Sequence, residues 1–265
     1  MKLFYRKYGT GPPLVILHGL YGSSDNWVTI ARKISGSFTV YLPDQRNHGL
    51  SPHSPDHNYD AMSQDLFELV EDLGTGKFVL AGHSMGGKTA VNFALNWPER
   101  INSLIVIDIS PFRKNEYEKQ LYIQHQTILK AILSIKPSEY KTRTEVEKQV
   151  AAKINDEKIR GLILKNLQRT DTGSFEWKLN ASSLLENLDR IMEEIPIPGN
   201  LPLPVTGFPV TFIKGEDSQY LQMSDLKEIQ RIFPASEIVS VRNAGHWIHT
   251  EKPDVIEDIL LSQLM

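Results

Sequence analysis

A serine between two glycines is the strongest chemical signal in this chain. Residues 82–86 read Gly-His-Ser-Met-Gly; they follow the apolar run Phe78–Ala81 and precede a segment with helical patterning. A serine at a sharp strand-to-helix turn takes strained dihedral angles and exposes its hydroxyl. Gly82 and Gly86 are needed because side chains there would collide with the closely packed strand and helix. The helix N-terminus beneath Ser84 favours developing negative charge, so the pattern indicates a nucleophilic serine.

The same residues also satisfy a second pattern. Gly82 and Gly87-Lys88-Thr89 fit the spacing of a phosphate-binding P-loop, and Leu104–Asp108 resembles a strand ending in a magnesium-assisting aspartate. A phosphate cradle needs a wide loop of backbone N–H groups, whereas an exposed nucleophile needs a tight turn. The local pattern therefore leaves nucleotide binding open as a remote alternative.

Three further motifs favour the nucleophile. The stretch His18–Gly22 follows the first apolar run and could aim backbone N–H groups at an oxyanion. Gly245-His246-Trp247 follows a late strand, at the edge where open α/β sheets place their sites. The stretch Asp44–Ser51 follows the second run and contains a Gly-terminated turn. A nucleotide-binding protein explains none of the three.

The elements that must position these residues form an α/β pattern. Short runs rich in β-branched or aromatic residues predict strands buried on both faces, as in a parallel sheet. Amphipathic segments separate the early runs and predict helices on both faces of a doubly wound, mostly parallel sheet. The predicted strands are Leu14–Leu17, Phe38–Leu42, Phe78–Ala81, Leu104–Ile107, Val210–Ile213 and Glu237–Val241.

The middle of the chain predicts an inserted helical cap. Helical patterns cover residues 114–136, 144–155, 156–169 and 182–195, with Asp156 and Asn180 as N-caps. The proline-rich stretch that follows cannot be helix interior. We therefore expect core residues 1–110, a cap of residues 111–203 and core residues 204–265, with an independent helical domain as the alternative.

Composition excludes several classes of protein. The net charge of −3 leaves no surplus of lysine and arginine for a nucleic-acid partner. The absence of cysteine excludes disulfides, cysteine–zinc sites and thiol nucleophiles. No apolar run approaches the roughly 18 residues of a membrane span, and the N-terminus lacks a signal-peptide core. We expect a cytoplasmic protein.

Together the motifs resemble a known family. The set HGxxG, DxRNHGxS, GHSMGG, VIDISP and AGHWIH resembles the α/β-hydrolase fold and, within it, the small YbfF-type esterases and their mitochondrial relatives. The resemblance implies a serine hydrolase that cleaves carboxylic esters or acyl thioesters through an acyl-enzyme. It implies a small-molecule substrate, no cofactor and no metal; a homodimer is left open.

Each proposed role has its own candidate. Ser84 is the nucleophile and His246 the general base, with His249 as its rival. Backbone N–H groups of Leu20 and Met85 are expected to hold the oxyanion. His18 and His83 are interpreted as supporting hydrogen-bonding groups.

The acid that orients the histidine has three candidates. Many α/β-hydrolases place it after the strand that follows the cap, but this sequence has Ser218 at the usual position. In the YbfF-type esterases the aspartate matching Asp108 is taken as the acid. We therefore predict Asp108, with Asp217 as the alternative and Asp189 behind both.

The cap is expected to select the substrate. Its large apolar residues either line an acyl pocket or pack the cap onto the core. They include Tyr117, Leu121, Tyr122, Phe175 and Trp177. Other activities of the same triad stay open, namely carbon–carbon bond hydrolysis, a lyase step of menaquinone synthesis and carboxylic acid peroxidation. A non-catalytic small-molecule receptor also stays open.

Overall fold

A computed structural model describes residues 1–112, 116–199 and 201–264 of the chain. The strands are β1 (Tyr5–Tyr8), β2 (Pro13–Leu17), β3 (Thr39–Pro43), β4 (Phe78–His83), β5 (Ile101–Ile107), β6 (Leu167–Arg169), β7 (Phe175–Trp177), β8 (Val210–Gly215) and β9 (Ser236–Val241). The main sheet has the order β1-β3-β2-β4-β5-β8-β9 and is parallel except for β1. The predicted fold class is confirmed.

Helices cover both faces of this sheet, and others form the segment between β5 and β8. They are α1 (Val28–Ile34), α2 (Tyr59–Leu73), α3 (Met85–Asn96), α4 (Glu116–Leu133), α5 (Arg143–Ala151), α6 (Glu157–Leu164), α7 (Ala181–Glu186), α8 (Leu188–Met192), α9 (Leu226–Ile232), α10 (Ile248–Glu251) and α11 (Pro253–Leu261). In β5, Ile105 and Ile107 pack towards α1 and α11, whereas Leu104 and Val106 join the core under α2, α3 and α9. This alternation explains why strands buried on both faces read as continuous apolar runs.

Helices α4 to α8 and the β6–β7 hairpin lie between β5 and β8, where the sequence predicts the cap. The side chains of Asp156 and Asn180 accept backbone N–H groups at the starts of α6 and α7, as predicted for N-caps. The predicted helix over 114–136 is found from Glu116, and residues 113–115 lie outside the described part of the chain.

The helix predicted for residues 156–169 is wrong at its end. Helix α6 stops at Leu164, and Leu167–Arg169 pairs antiparallel with Phe175–Trp177. The turn between them contains Gly173 at φ +87°, a conformation that glycine adopts without steric cost. The hairpin was missed because each of its strands has only three residues, too few for a period of two to stand out.

The carboxyl ends of the parallel strands lie along one edge of the sheet. The predicted site residues follow β2, β4, β5 and β9 at that edge, so the topology gathers them from distant parts of the sequence. Within the described residues, no helix is long and apolar enough to cross a membrane.

Candidate active site

Ser84 occupies a strained turn between β4 and α3. Its dihedral angles are φ 54° and ψ −120°, and its N–H donates to the Ile107 carbonyl at 3.0 Å. A Cβ at Gly82 would overlap the Gly86 carbonyl, and one at Gly86 would lie 2.5 Å from the His18 carbonyl oxygen. Both glycines are therefore required by close backbone packing, which is the arrangement the sequence predicts.

The two residues expected to hold the oxyanion lie at the same cavity as Ser84. Met85 is the first residue of α3, and Leu20 follows β2; both residues line a cavity that Ser84 also lines. Neither N–H donates to an acceptor among the described residues. The N–H of Met85 also belongs to the positive end of the α3 dipole, which favours negative charge next to Ser84.

His246 lies in the loop after β9 and is held by a carboxylate at the end of β5. Its Nδ1 is 2.8 Å from Oδ2 of Asp108, which is completely buried. Asp108 also accepts hydrogen bonds from the Ser218 hydroxyl and, at 2.9 Å, from the Gly215 N–H. Both carboxylate oxygens are thus fixed, and the imidazole is held with Nε2 as its free nitrogen.

Ser84 and His246 line the same cavity. No hydrogen bond joins their side chains among the described residues. Contacts between a nucleophile and its base are often long without substrate and shorten when substrate binds.

The other candidates for the acid and the base lie elsewhere. Asp217 is exposed, and its N–H donates to the Ala244 carbonyl at 3.0 Å, so only its backbone supports the His246 loop. Asp189 lies in α8 of the cap. His249 is buried, stacks on Trp27 and lies 4.7 Å from His83 between ring centroids, with no contact to Asp108.

Besides Asp108, two rings contact His246 and Ser218 supports it through Asp108; of these three residues the sequence indicated only His83. His83 Nε2 is 2.8 Å from the His246 carbonyl, and burial lowers the pKa of His83 well below 6.5, so the neutral ring donates this bond. The ring of Tyr220 stacks on His246 at 3.6 Å between centroids. The roles of Tyr220 and Ser218 were missed because both follow β8 in a loop without a motif; the only signal was a serine at the position usual for the acid.

The motif Asp44–Ser51 braces the loop that carries Leu20. Asp44 accepts the N–H of Ser24 at 2.6 Å and that of Leu50 at 2.8 Å. His48 Nε2 accepts the N–H of Tyr21 at 3.3 Å, and His18 Nε2 accepts that of Gln45 at 2.9 Å. These imidazoles are neutral, because burial lowers the pKa of His18 and of His48. The predicted supporting role of His18 agrees with these contacts.

The P-loop alternative is wrong. Gly82 packs against the backbone of Gly86, and Gly86 packs against the backbone of Leu17 and His18, which leaves no wide loop for a phosphate. Lys88 is buried, and its ammonium group donates to the Glu193 carbonyl of the cap at 2.7 Å. Asp108 is occupied by His246.

The cavity over Ser84 has two lobes, which we name by their lining. The His246 lobe encloses about 60 Å³ and the Met85 lobe about 40 Å³, so both are narrow. Both are lined by Leu20, Ser84, His125 and Tyr220.

Of the apolar cap residues considered from the sequence, Tyr117 and Leu121 line the Met85 lobe. Phe175 belongs to the buried core, and Trp177 donates its indole N–H to the Ile135 carbonyl at 3.2 Å. Tyr122 packs against the core and lines neither lobe.

Comparisons with known proteins agree with the predicted family and fold. A model of the alpha/beta hydrolase fold family matches residues 12–253. The chain is 40% identical to the sn-1-specific diacylglycerol lipase ABHD11 of Mus musculus, over 96% of this chain and 81% of that protein. It is 32% identical to Esterase YbfF of Escherichia coli K12, over 92% of this chain and 89% of that protein. A solved marine microorganism esterase covers 98% of both chains at 41% identity, with a TM-score of 0.93.

Proposed function

The chain belongs to the α/β-hydrolase fold family, and from this premise we propose that it is a serine hydrolase that cleaves carboxylic esters through an acyl-enzyme. The observation that carries the proposal is the hydrogen bond of 2.8 Å between His246 and the buried Asp108, beside a cavity lined by Ser84. This is the arrangement that a weak serine nucleophile needs, because a positioned base must remove its proton.

In the proposed acylation step, Ser84 Oγ attacks the ester carbonyl while His246 Nε2 takes its proton. The N–H groups of Leu20 and Met85 hold the oxyanion that forms. Asp108 keeps the imidazole in the tautomer with hydrogen on Nδ1 and stabilises the imidazolium. His246 then returns the proton to the leaving alkoxide, and the carbon–oxygen bond breaks.

In the proposed deacylation step, His246 takes a proton from water, which attacks the acyl-enzyme. The tetrahedral intermediate collapses, Ser84 recovers its proton from His246, and the carboxylic acid is released. The imidazole of His246 carries every proton in both steps, so the proposed mechanism uses neither a metal nor a cofactor.

The substrate class is a carboxylic ester of small-molecule size. Relatives at 30% identity or above carry the names diacylglycerol lipase and esterase, which supports oxygen esters ahead of the thioesters that the sequence also allowed. Most of the surface that lines both lobes is apolar, which favours substrates with an apolar portion.

The test is covalent labelling. A fluorophosphonate should modify the protein once, at Ser84, and the Ser84→Ala variant should stay folded, remain unlabelled and lose p-nitrophenyl acetate hydrolysis by about 10⁴-fold or more. Labelling of another residue, or retained activity in Ser84→Ala, contradicts the proposal.

A further inference from the structure

The loop that carries His246 contains one peptide group that is held at both ends. This group joins Ala244 to Gly245 and directly precedes His246. Its carbonyl accepts the N–H of Asp217 at 3.0 Å, and its N–H donates to the carboxylate of Glu251 at 2.6 Å. Gly245 has no side chain that could anchor it, so these two hydrogen bonds orient the backbone from which the His246 ring projects.

Glu251 is a core residue, but its side chain is also bonded to the cap. It ends α10, and its second carboxylate oxygen, Oε1, is 2.6 Å from Lys158 Nζ of α6. The Lys158 ammonium group lies 6.0 Å from the centroid of the Trp247 ring. Trp247 lines the His246 lobe, as does Ile159, the next residue of α6, whereas Lys158 lines neither lobe. The ion pair therefore joins the cap to the loop of the proposed base, behind the wall of the lobe.

The carboxylate of Glu251 is one of two charges that act on the His246 ring among the described residues. Burial holds the pKa of each other histidine near the ring below 6.5 and that of the nearby tyrosine above 10, so all four groups are neutral at neutral pH. The second charge is the triad carboxylate. The titratable groups that contact the ring or act on it by charge are Asp108 after β5, His83 on β4, His125 on α4, Tyr220 after β8, and His249 and Glu251 on α10.

Glu251 is ionised throughout the pH range in which an imidazole titrates. Burial raises its pKa, but the hydrogen bonds from Lys158 and from the Gly245 N–H outweigh this, and the pKa lies below 4.5. A carboxylate near an imidazole stabilises the protonated ring, and the Lys158 ammonium group offsets part of that effect. The cap thus sets part of the charge that acts on His246.

We propose that Glu251 positions the general base through the Gly245 N–H, and that Lys158 of the cap adjusts the electrostatic effect of Glu251 on His246. Glu251 contacts no reacting atom, so it is a positioning residue and not a catalytic one. The inference rests on the proposed function, since it takes His246 as the base. With α6 docked on the core, Lys158 disfavours the imidazolium and keeps His246 able to accept a proton at lower pH.

Two substitutions of Glu251 test the positioning role. Glu251→Gln keeps an oxygen that accepts the Gly245 N–H, whereas Glu251→Ala leaves this N–H without its acceptor. With p-nitrophenyl acetate at pH 8, kcat of Glu251→Gln should stay within about twofold of the wild-type value. In Glu251→Ala kcat should fall by about tenfold, and KM should change by less than about twofold, because the base is misplaced while the walls of the cavity stay the same.

The two partners of the ion pair should move the pH profile in opposite directions. The acid limb of kcat/KM against pH reports protonation of the base in the free protein. Glu251→Gln removes a negative charge and should move the midpoint of this limb to lower pH by about 0.3 pH unit or more. Lys158→Met leaves that negative charge without its counter-ion and should move the midpoint to higher pH by a similar amount. Both shifts should shrink in about 0.5 M NaCl, because salt screens exposed charges.

Lys33→Met is the matched control for the Lys158 variant. Lys33 forms an ion pair of the same kind with Glu257, with 2.9 Å between Nζ and Oε1, and neither residue lines a lobe. This variant should keep the wild-type midpoint. A shift that appears in Lys158→Met alone therefore does not come from the loss of a surface ion pair in general.

An NMR titration separates this inference from the proposed function. The ring signal of His246, assigned by its loss in His246→Gln, is followed against pH in the Ser84→Ala background, where no turnover is expected. The same opposite shifts should appear there. If they do while Ser84→Ala still hydrolyses esters, the proposed nucleophile is wrong and the coupling of Lys158 and Glu251 to the ring remains.

Three results overturn the inference. One is a pair of midpoints that move in the same direction or stay at the wild-type value. Another is a loss of kcat in Glu251→Gln as large as that in Glu251→Ala, which means that the hydrogen bond to Gly245 does not position the base. The third is a Glu251→Ala variant that keeps the wild-type kcat.

Discussion

The carboxyl edge of the sheet and the cap that covers it are built in different ways. At the edge, Asp108 is fully buried and each of its oxygens is fixed by a hydrogen-bonding neighbour. The cap shares a continuous apolar cluster with the core and is also joined to it by hydrogen bonds, such as Tyr59 to Ile191 at 2.6 Å and Asn166 to Tyr21 at 2.8 Å. The edge fixes single polar atoms with converging hydrogen bonds, whereas the cap packs apolar side chains onto the core.

The two regions therefore have different roles: the edge carries the proposed catalytic groups, and the cap selects the substrate. All the proposed catalytic groups follow strands of the sheet, and a rigid sheet positions groups more precisely than long loops do. The cap residues that reach the cavity, such as Leu121 and His125, contribute walls and hydrogen bonds but no proposed reacting atom. Substitutions at the edge should therefore change the rate of reaction, whereas substitutions in the cap should change which substrate reacts.

The largest effect is expected at the two aspartates that the sequence left open. Asp108→Asn replaces the carboxylate that contacts His246 and should lower kcat by about 10³- to 10⁴-fold, because the amide stabilises neither the required tautomer nor the imidazolium. Asp217→Asn changes an exposed side chain and should alter kcat by less than about twofold. Steady-state hydrolysis of p-nitrophenyl acetate measures both.

The two variants are each other's control, because they make the same chemical change on neighbouring loops. If Asp217→Asn causes the larger loss, the proposed acid is misassigned. If neither variant slows turnover tenfold, the proposed set of catalytic residues is incomplete.

Most of the edge could be predicted because its residues are constrained by local geometry. A side chain at Gly82 or Gly86 would collide with neighbouring backbone atoms, so both positions require glycine. The two glycines therefore identify the serine between them as the residue at the turn. The late histidine follows a strand directly, and a parallel sheet brings the ends of its strands together. The predicted family, fold class and ester-hydrolase class are confirmed on this basis, by the match to residues 12–253 and by the esterase relatives.

The rest depends on contacts that no local pattern carries. Ser218 is 110 residues from Asp108 in the sequence, and the Tyr21–His125 contact spans 104 residues. Edge strand β1 was missed because its exposed and half-buried residues lack the apolar run of an interior strand. Choosing among the aspartates by residue pattern alone was impossible, because Asp108 and Asp217 both end or follow strands at the same edge.

A smaller, selective effect is expected in the cap. Leu121→Ala removes part of the wall of the Met85 lobe and should raise the ratio of kcat/KM for octanoate over acetate p-nitrophenyl esters by about tenfold. The control is Val146→Ala, which removes buried volume from α5 without touching either lobe and should lower stability but leave the ratio unchanged. Equal ratios in all three proteins would mean that the acyl chain lies elsewhere.

The smallest effect expected is on stability at acid pH, and it tests whether cap and core unfold together. Burial lowers the pKa of His125 in the cap to about 4 and that of His57 in the core to about 3. In the unfolded chain each titrates near 6.5, so below that pH the unfolded state binds more protons and folding is disfavoured. The free energy of unfolding should therefore be fully retained above about pH 6.5 and fall as the pH drops towards 4.

Replacing either histidine with glutamine should reduce this fall by about 1.4 kcal/mol per pH unit, measured by urea denaturation between pH 6 and 4.5. Equal reductions in a single transition mean that the cap unfolds together with the core, as the apolar cluster that they share suggests. If His125→Gln leaves the slope unchanged while His57→Gln lowers it, the cap separates from the core before global unfolding. The protonation of His125 would then report opening of the cap, and the cap would be less stable than the core that carries the catalytic groups.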